Sequence, residues 1–325
     1  MMRILYKPLC AAALLACSLA APAAQAADYP SQPVKMVTAF GAGSASDIVA
    51  RLIAERLQSA LGQPVIVENR PGASGQVASD LVARAQPDGY TIMLATNTTH
   101  SSNPHLFKSL RYNPVKDFTP LVQVCNFPFV LAVSAKLPIN NVDDLLRYGK
   151  AHPASLNYAY GNSTGQISAA SFDKMTGLGA TAVPYKSTPQ AMTDIIGGRA
   201  TFMFVDLASA AAHIQAGTLK ALAVSTEKRS ALAPNLPSVS EALAQPGFDL
   251  AAWVGIFGPA KLPAPIAQRL GDELYKIVSA EDIKQKLTQM GAEPTPAPAS
   301  AFGPFVAQQE KVWGDKVRQA GIQAE

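Results

Sequence analysis

The chain has 325 residues, 48% of them hydrophobic, with 27 Lys and Arg against 23 Asp and Glu. That is enough apolar material for a sizeable core, most naturally in two lobes. The nearly balanced charge, with no basic block and no RNA-type aromatic motif, argues against a nucleic-acid partner.

The first residues read as an export signal. Arg3 and Lys7 in "MMRILYKP" precede the apolar run "LCAAALLACSLAAP" and an Ala-x-Ala site at Ala24 to Ala26. The apolar run is too short for a permanent membrane span. Residues 1–26 are therefore expected to be a signal peptide, and the product to be periplasmic. A lipoprotein signal cut before Cys17 is the competing reading, but the Leu directly before Ala16 fits that box poorly. Taking Arg3 and Lys7 from the 27 basic residues leaves 25 against 23 acidic ones. Cys10 and Cys17 leave with the signal, so Cys125 has no partner for an internal disulfide.

Strand and helix patterns then alternate. "VKMVTAF" (34–40) precedes a helix over 47–61, "PVIVEN" (64–69) precedes the Gly/Ser turn and helix of "RPGASGQVASDLVARA", and "YTIMLAT" (90–96) precedes "NTTHSSNPHLF". This rhythm indicates βαβ units and a parallel sheet. The long β-rich stretch "LVQVCNFPFVLAVS" (121–134) reads as a crossing to a second lobe. The strands of that lobe are expected at 156–161, 181–185 and 200–206, and the return crossing at "LKALAVS" (219–225). A further strand is expected at 252–260. "EPTPAPAS" (293–300) reads as a proline-rich connector. The expected fold is α/β, with lobes of 27–124 plus 226–325 and of 125–225. Ligands of such sheets sit outside the carboxyl ends of strands, here after Phe40, Thr96, Tyr160, Tyr185 and Phe204.

Each motif at those ends has two readings. "GAGSAS" (41–46) has the G-x-G of a dinucleotide loop, but Ser46 stands where Gly or Ala is wanted, and nucleotides are scarce outside the cytoplasm. Ser44 and Asp47 also form a capping box. A helix start that needs a cap is equally a carboxylate site, because the same free N–H groups serve both. "GNSTG" (161–165) matches the G-x-S-x-G of a nucleophile elbow, with Asp194 or Asp206 and then His213 following in hydrolase order. His213, however, lies in a helix with nothing to aim it at Ser163. His100, His105, His152 and His213 lack metal-ligand spacing, so no metal site is expected. His100 sits in a polar loop, where it is either solvated or a donor to an anion. Of Tyr185 and Lys186, Tyr185 is preferred as a cleft residue, since Lys is usually a solvated charge. Asp206 reads as fixing its own loop.

Taken in order, "YPSQPVKMVTAFGAGSASDIVARLIAERLQSALGQPVIVENRPGASG", "PDGYTIMLATNTTHSSNPHLF", "YNPVKDFTPL", "LNYAYGNSTG", "VPYKSTPQAMTDIIGG" and "GTLKALAVSTEKRS" resemble the substrate-binding receptors of tripartite tricarboxylate transporters, also called Bug receptors. The resemblance implies a two-lobe periplasmic binding protein whose lobes, joined by two crossing strands, close on a small carboxylate and present it to membrane permease subunits. It assigns the carboxylate to Gly41 to Ser46 and to Gly161 to Thr164. The family's first turn is usually of the proline-rich "FPPGG" type. Here it is "FGAGSAS", whose small residues leave room for an aromatic as well as an aliphatic acid. The candidate ligand residues are thus Phe40, Gly41, Ala42, Gly43, Ser44, Ser46, Asp47, Thr96, His100, Tyr160, Gly161, Asn162, Ser163, Thr164, Tyr185 and Asp206. A monomer without cofactor or catalytic activity is expected. The alternatives are an exported serine hydrolase using Ser163 and a sensory binding protein for a signalling partner.

Overall fold

The computed structural model describes residues 29–324; the expected signal peptide lies outside them. In the first half, β1 (Val34–Thr38) leads to α1 (Ala45–Leu61), β2 (Val65–Asn69) to α2 (Gln76–Ala83), and β3 (Thr91–Thr96) to a π-helix (Thr98–Ser102) running into α3 (Asn103–Leu106). β4 (Phe118–Ser134) follows. Then come α4 (Val142–Ala151), β5 (Asn157–Tyr160), α5 (Ser163–Thr176), β6 (Thr181–Pro184), α6 (Thr188–Gly197), β7 (Phe202–Asp206), α7 (Leu207–Gln215) and β8 (Leu219–Val224). The chain ends with α8 (Val239–Leu243), β9 (Ala251–Pro259), α9 (Ala264–Ser279), α10 (Glu281–Gln289), β10 (Glu293–Pro298) and α11 (Ala299–Ala320).

Local sequence sets these boundaries. In α1 the buried Val49, Ile53, Leu57 and Leu61 recur every four residues, so one stripe faces the sheet. The Ser44 side chain accepts the Asp47 N–H at 3.3 Å, and Gly62 at φ 70° closes the helix with its N–H on the Gln58 carbonyl.

The strands run in the order β2-β1-β3-β9-β4-β7-β5-β6, with β10 and β8 also paired to β4. The sheet is mixed, not parallel as the βαβ rhythm implied. β1 is parallel to β2 and β3, and β5 is parallel to β6 and β7, but β9 and β4 run antiparallel to their neighbours. β4 is the shared element. Residues 118–128 pair with β9, and residues 129–133 pair with β7. Pro128 marks the switch between the two lobes.

Two expectations about the chain's path are corrected. The 219–225 segment does not cross back: β8 pairs with the second-lobe half of β4, from Val130 to Ser134. The chain stays on that lobe through Phe248, whose ring lies 5.4 Å from Phe204, and returns in β9. The proline-rich 293–300 segment is no mere connector. Its residues 293–298 form β10, antiparallel to β4 with a register shift between Pro294 and Ala297. Prolines at alternate positions remove ladder donors, which an edge strand beside a bulge tolerates. α11 packs on both halves: the Gln319 carbonyl accepts from Lys174 at 2.9 Å, and the Glu310 carbonyl lies 3.0 Å from His105 Nε2. Among the described residues no helix is long and apolar enough to cross a membrane.

Candidate functional site

Helices α1, α2, α5, α6 and α7 each begin just beyond the carboxyl end of a strand. Their first N–H groups have no intrahelical acceptor and carry the positive end of the helix dipole. The first helical bonds run from Ile48 to Ser44 in α1 and from Gln166 to Asn162 in α5, at 3.0 and 3.1 Å. The N–H groups of Ala45, Ser46, Ser163 and Thr164 come before them. Asn162 caps α5 by accepting the Gly165 N–H at 2.8 Å. Neither α2 nor α6 has a side-chain cap.

The two lobes meet at this point. Ser163 donates its hydroxyl to Thr98 Oγ1 at 2.9 Å, and Asn97 Nδ2 donates to Thr164 Oγ1 at 2.8 Å. All four residues are buried. They tie the end of β3 to the start of α5. A small cavity of about 20 Å³ lies beside the latch, lined by Phe40, Ser44, Ser46, Thr96, Thr164 and Asp206 among others. That is room for about one water molecule. A second cavity of about 350 Å³ shares Phe40 and Asn162 with it and continues between Tyr160, Gly161, Tyr185 and Lys186 on one side and Ser74, Gly75 and Phe107 on the other. Its volume falls in the range of small-molecule sites.

The turn over Gly72–Gly75 forms one wall. All four residues have positive φ, Ala73 at 45° and Ser74 at 52°. Such a conformation costs a non-glycine residue about 1–3 kcal/mol, so the surrounding contacts must hold the turn in place. Gly75 is fixed by contact as well: a Cβ there would stand 2.7 Å from Thr99 Cγ2 and 2.9 Å from Ala39 Cβ. Neither this turn nor Asn97 and Thr98 was among the expected site residues, although Asn97 directly follows a strand end.

The expected site residues divide. Phe40, Tyr160, Gly161, Asn162 and Tyr185 line the larger cavity. Ser44, Ser46, Thr96, Thr164 and Asp206 line the smaller one. Gly41 touches the other lobe, where a Cβ would lie 3.5 Å from Ser187 Cβ. Ala42 and Gly43 are on the exposed side of their turn. Ser163 lies in the latch and lines neither cavity. Asp47 lies beneath the turn. It accepts the Gly43 N–H at 3.0 Å, Asn69 Nδ2 at 2.9 Å and Arg51 Nε at 3.1 Å. Burial works to raise its pKa, yet the bonds from Arg51, Gly43 and Asn69 outweigh burial and hold the carboxyl below its ordinary value. Asn69 also donates to Thr38 Oγ1 and the Phe40 carbonyl, so one amide fixes the whole turn.

His100 is neither solvated nor in the cleft. It is wholly buried, stacked on Phe257 at 4.2 Å and edge-on to Phe118 at 4.5 Å, with Nδ1 sharing a hydrogen bond with Thr99 Oγ1. Burial drives its pKa down to about 3, so the ring is neutral at physiological pH. A polar-looking sequence concealed it, because the π-helix turns the whole "TTHSS" segment inward. Tyr185 points its hydroxyl at Asp194 Oδ2, 2.6 Å away, a bond that raises its pKa. Asp206 caps α7 by accepting the Ser209 N–H at 2.7 Å; burial raises its pKa, against the lowering effect of Ser209.

Among the described residues no catalytic relay is assembled around Ser163. His213 Nδ1 lies 3.3 Å from Thr218 Oγ1, in its own turn. Asp194 is held by Tyr185 and by Arg199 Nε at 2.8 Å. Among the described residues no three His, Cys, Asp or Glu side chains gather as metal ligands.

Comparison with known proteins agrees with this architecture. A family model described as the tripartite tricarboxylate transporter family receptor matches residues 49–322. The chain is 39% identical over 276 residues to a UPF0065 protein of Bordetella bronchiseptica, covering 85% of this chain and 82% of the relative. Among solved structures, R. palustris Rpa4515 with adipate superposes with a TM-score of 0.88 at 32% identity, covering 91% of this chain and 100% of that one. MatC from Rhodopseudomonas palustris with bound malate gives 0.83 at 30% identity, covering 89% and 100%. The chain belongs to the tripartite tricarboxylate transporter receptor family and is a solute-binding protein of that family.

Proposed function

We propose that this receptor captures a small carboxylate between its lobes in the periplasm and hands it to the membrane permease subunits of a tripartite tricarboxylate-type transporter. The observation that carries the reading is the meeting of two helix N-termini, α1 from one lobe and α5 from the other, around the small cavity that Asp206 also lines, next to a ligand-sized cavity whose lining among the described residues holds no acidic side chain. Such N-termini attract anions through unpaired N–H groups and the helix dipole. The carboxylate would lie on the N–H groups of Ala45, Ser46 and Thr164, with the Ser46 and Thr164 hydroxyls beside them. Ser163 would serve the latch, since its hydroxyl already donates a hydrogen bond to Thr98. Bound adipate and malate in the related structures support the same ligand class. The reading contains no catalytic step.

The test is calorimetry with acids and their primary amides on the mature protein. The acid should bind and the amide should not, because a neutral amide loses the charge that the helix ends recognise. Equal binding of amide and acid would refute the reading, as would ester turnover abolished by Ser163→Ala.

A further inference from the structure

We infer that the receptor carries a second anion site, away from the interlobe cleft, where α5 meets the last turns of α11, and that it takes a phosphate group borne on an apolar body. The inference does not depend on what the cleft binds. A cavity of about 290 Å³ lies there, lined by Lys174 and Met175 of α5, Phe248 and Leu250 of the segment before β9, and Lys316 and Gln319 of α11. That volume is at the lower edge of small-molecule sites. Lys174 is about three turns down α5 from Ser163 at the latch, about 16 Å along the axis.

Neither lysine has a carboxylate partner among the described residues. Lys174 donates to the Gln319 carbonyl at 2.9 Å, and Lys316 donates to the Asp249 carbonyl. The nearby carboxylates are engaged elsewhere. Asp173 accepts the Ala180 N–H at 2.8 Å, Asp249 accepts the Glu227 N–H at 3.4 Å, and Asp315 is paired with Arg318. The cavity lining holds no Asp or Glu. Lys316 is half-buried, and burial lowers its pKa against the raising effect of Asp249. The protein thus offsets the desolvation of this ammonium only in part, and an anion in the cavity would complete the compensation. An ammonium has three donors, of which one carbonyl uses one. Two such groups facing one cavity suit a phosphate monoester, with about −1.5 to −2 charge and three acceptor oxygens, better than a singly charged carboxylate. Phe248 and Leu250, both buried, and Met175 beside them form an apolar wall for the rest of the guest. A soluble phosphate ester and the headgroup of a phosphomonoester lipid both offer this chemistry, and the test separates them.

Trp313 reports on the site, because Lys316 Nζ lies 5.8 Å from its ring centre. The chain has 2 tryptophans, so fluorine NMR of fluorotryptophan-labelled mature protein resolves Trp313 once Trp253→Phe assigns the other resonance. Hexyl phosphate should shift the Trp313 resonance saturably. Inorganic phosphate should bind severalfold more weakly, because it leaves the apolar wall uncovered. Lys174→Gln combined with Lys316→Gln should weaken hexyl phosphate by about tenfold or more. Lys174→Gln alone, at an exposed position outside the core, should account for part of that loss. Lys311→Gln, exposed on the same helix and outside the cavity, should change nothing. Pelleting with phosphatidate vesicles, against phosphatidylcholine vesicles, then identifies the source. Co-sedimentation that the double variant loses assigns the site to a lipid headgroup, and any other result assigns it to a soluble phosphate ester. No Trp313 response to hexyl phosphate overturns the site. So does a response that survives the double variant, since that shift would be transmitted from anion binding in the interlobe cleft.

Discussion

Replacing Asp47 with alanine should destabilise the protein and leave direct ligand contacts in place. Asp47 is buried and accepts hydrogen bonds from the Gly43 N–H, the Asn69 amide and Arg51. Arg51 is solvent-exposed, so its ion pair is screened and adds little. The other two bonds go to a charged, buried acceptor beneath a part-buried turn. At the lower end of about 1.5–3 kcal/mol each, their loss predicts about 3 kcal/mol of destabilisation. For a chain of this size that corresponds to a fall in melting temperature of about 5 °C. The pH dependence follows from the sign of the shift. The folded pKa lies below the ordinary value of 3.8, so the stabilisation is fully present above that value and is lost as pH falls through the folded pKa. Thermal melts of both proteins should therefore draw closer as the pH falls through the folded pKa of Asp47. A variant that keeps its melting temperature but loses ligand affinity tenfold would show that Asp47 touches the ligand and would refute the turn-fixing account.

Two further expectations follow from buried groups. His100, with its pKa held near 3 by burial, is neutral in the folded state, while the unfolded chain takes up a proton below about pH 6.5. Stability should thus fall by up to about 1.4 kcal/mol per pH unit below that value, and urea titrations of His100→Phe should show this slope removed; parallel pH profiles for the two proteins would contradict it. Ser163→Ala removes the donor to the Thr98 hydroxyl across the lobes. One buried bond of about 0.5–1.5 kcal/mol supports the closed state, so ligand affinity should weaken by about two- to tenfold with an expanded ligand-free envelope in solution scattering. Unchanged affinity and envelope would mean that the latch does not hold the lobes together.

Much of this was legible in the sequence, and for a definite reason. Strands such as "VKMVT" and "TIMLAT" are apolar runs, and α1 carries its stripe at helical spacing, so burial is written in local periodicity. The cap Ser44 and the cap Asn162 mark helix starts by their residue type alone. The rule that ligands gather at strand carboxyl ends led to loops that line the larger cavity, with Phe40, Tyr160 and Asn162 among them. What local pattern could not carry was direction and partnership. Strand polarity depends on which strand lies beside which, so β9 and β4 run antiparallel inside a sheet whose βαβ rhythm reads as parallel. The prolines of β10 signalled an interruption, but an edge position lets them pair on one side. His100 read as either solvated or a donor to an anion because its neighbours are polar. Only the packing of Phe118 and Phe257 around the π-helix makes it a neutral core residue. Ser163 matched a nucleophile motif, but its hydroxyl donates a hydrogen bond to Thr98, 65 residues away. Sequence encodes which residues want burial or a cap, because those preferences are local free energies. Which donor meets which acceptor across two lobes is decided by their closure, and no short window of sequence contains it.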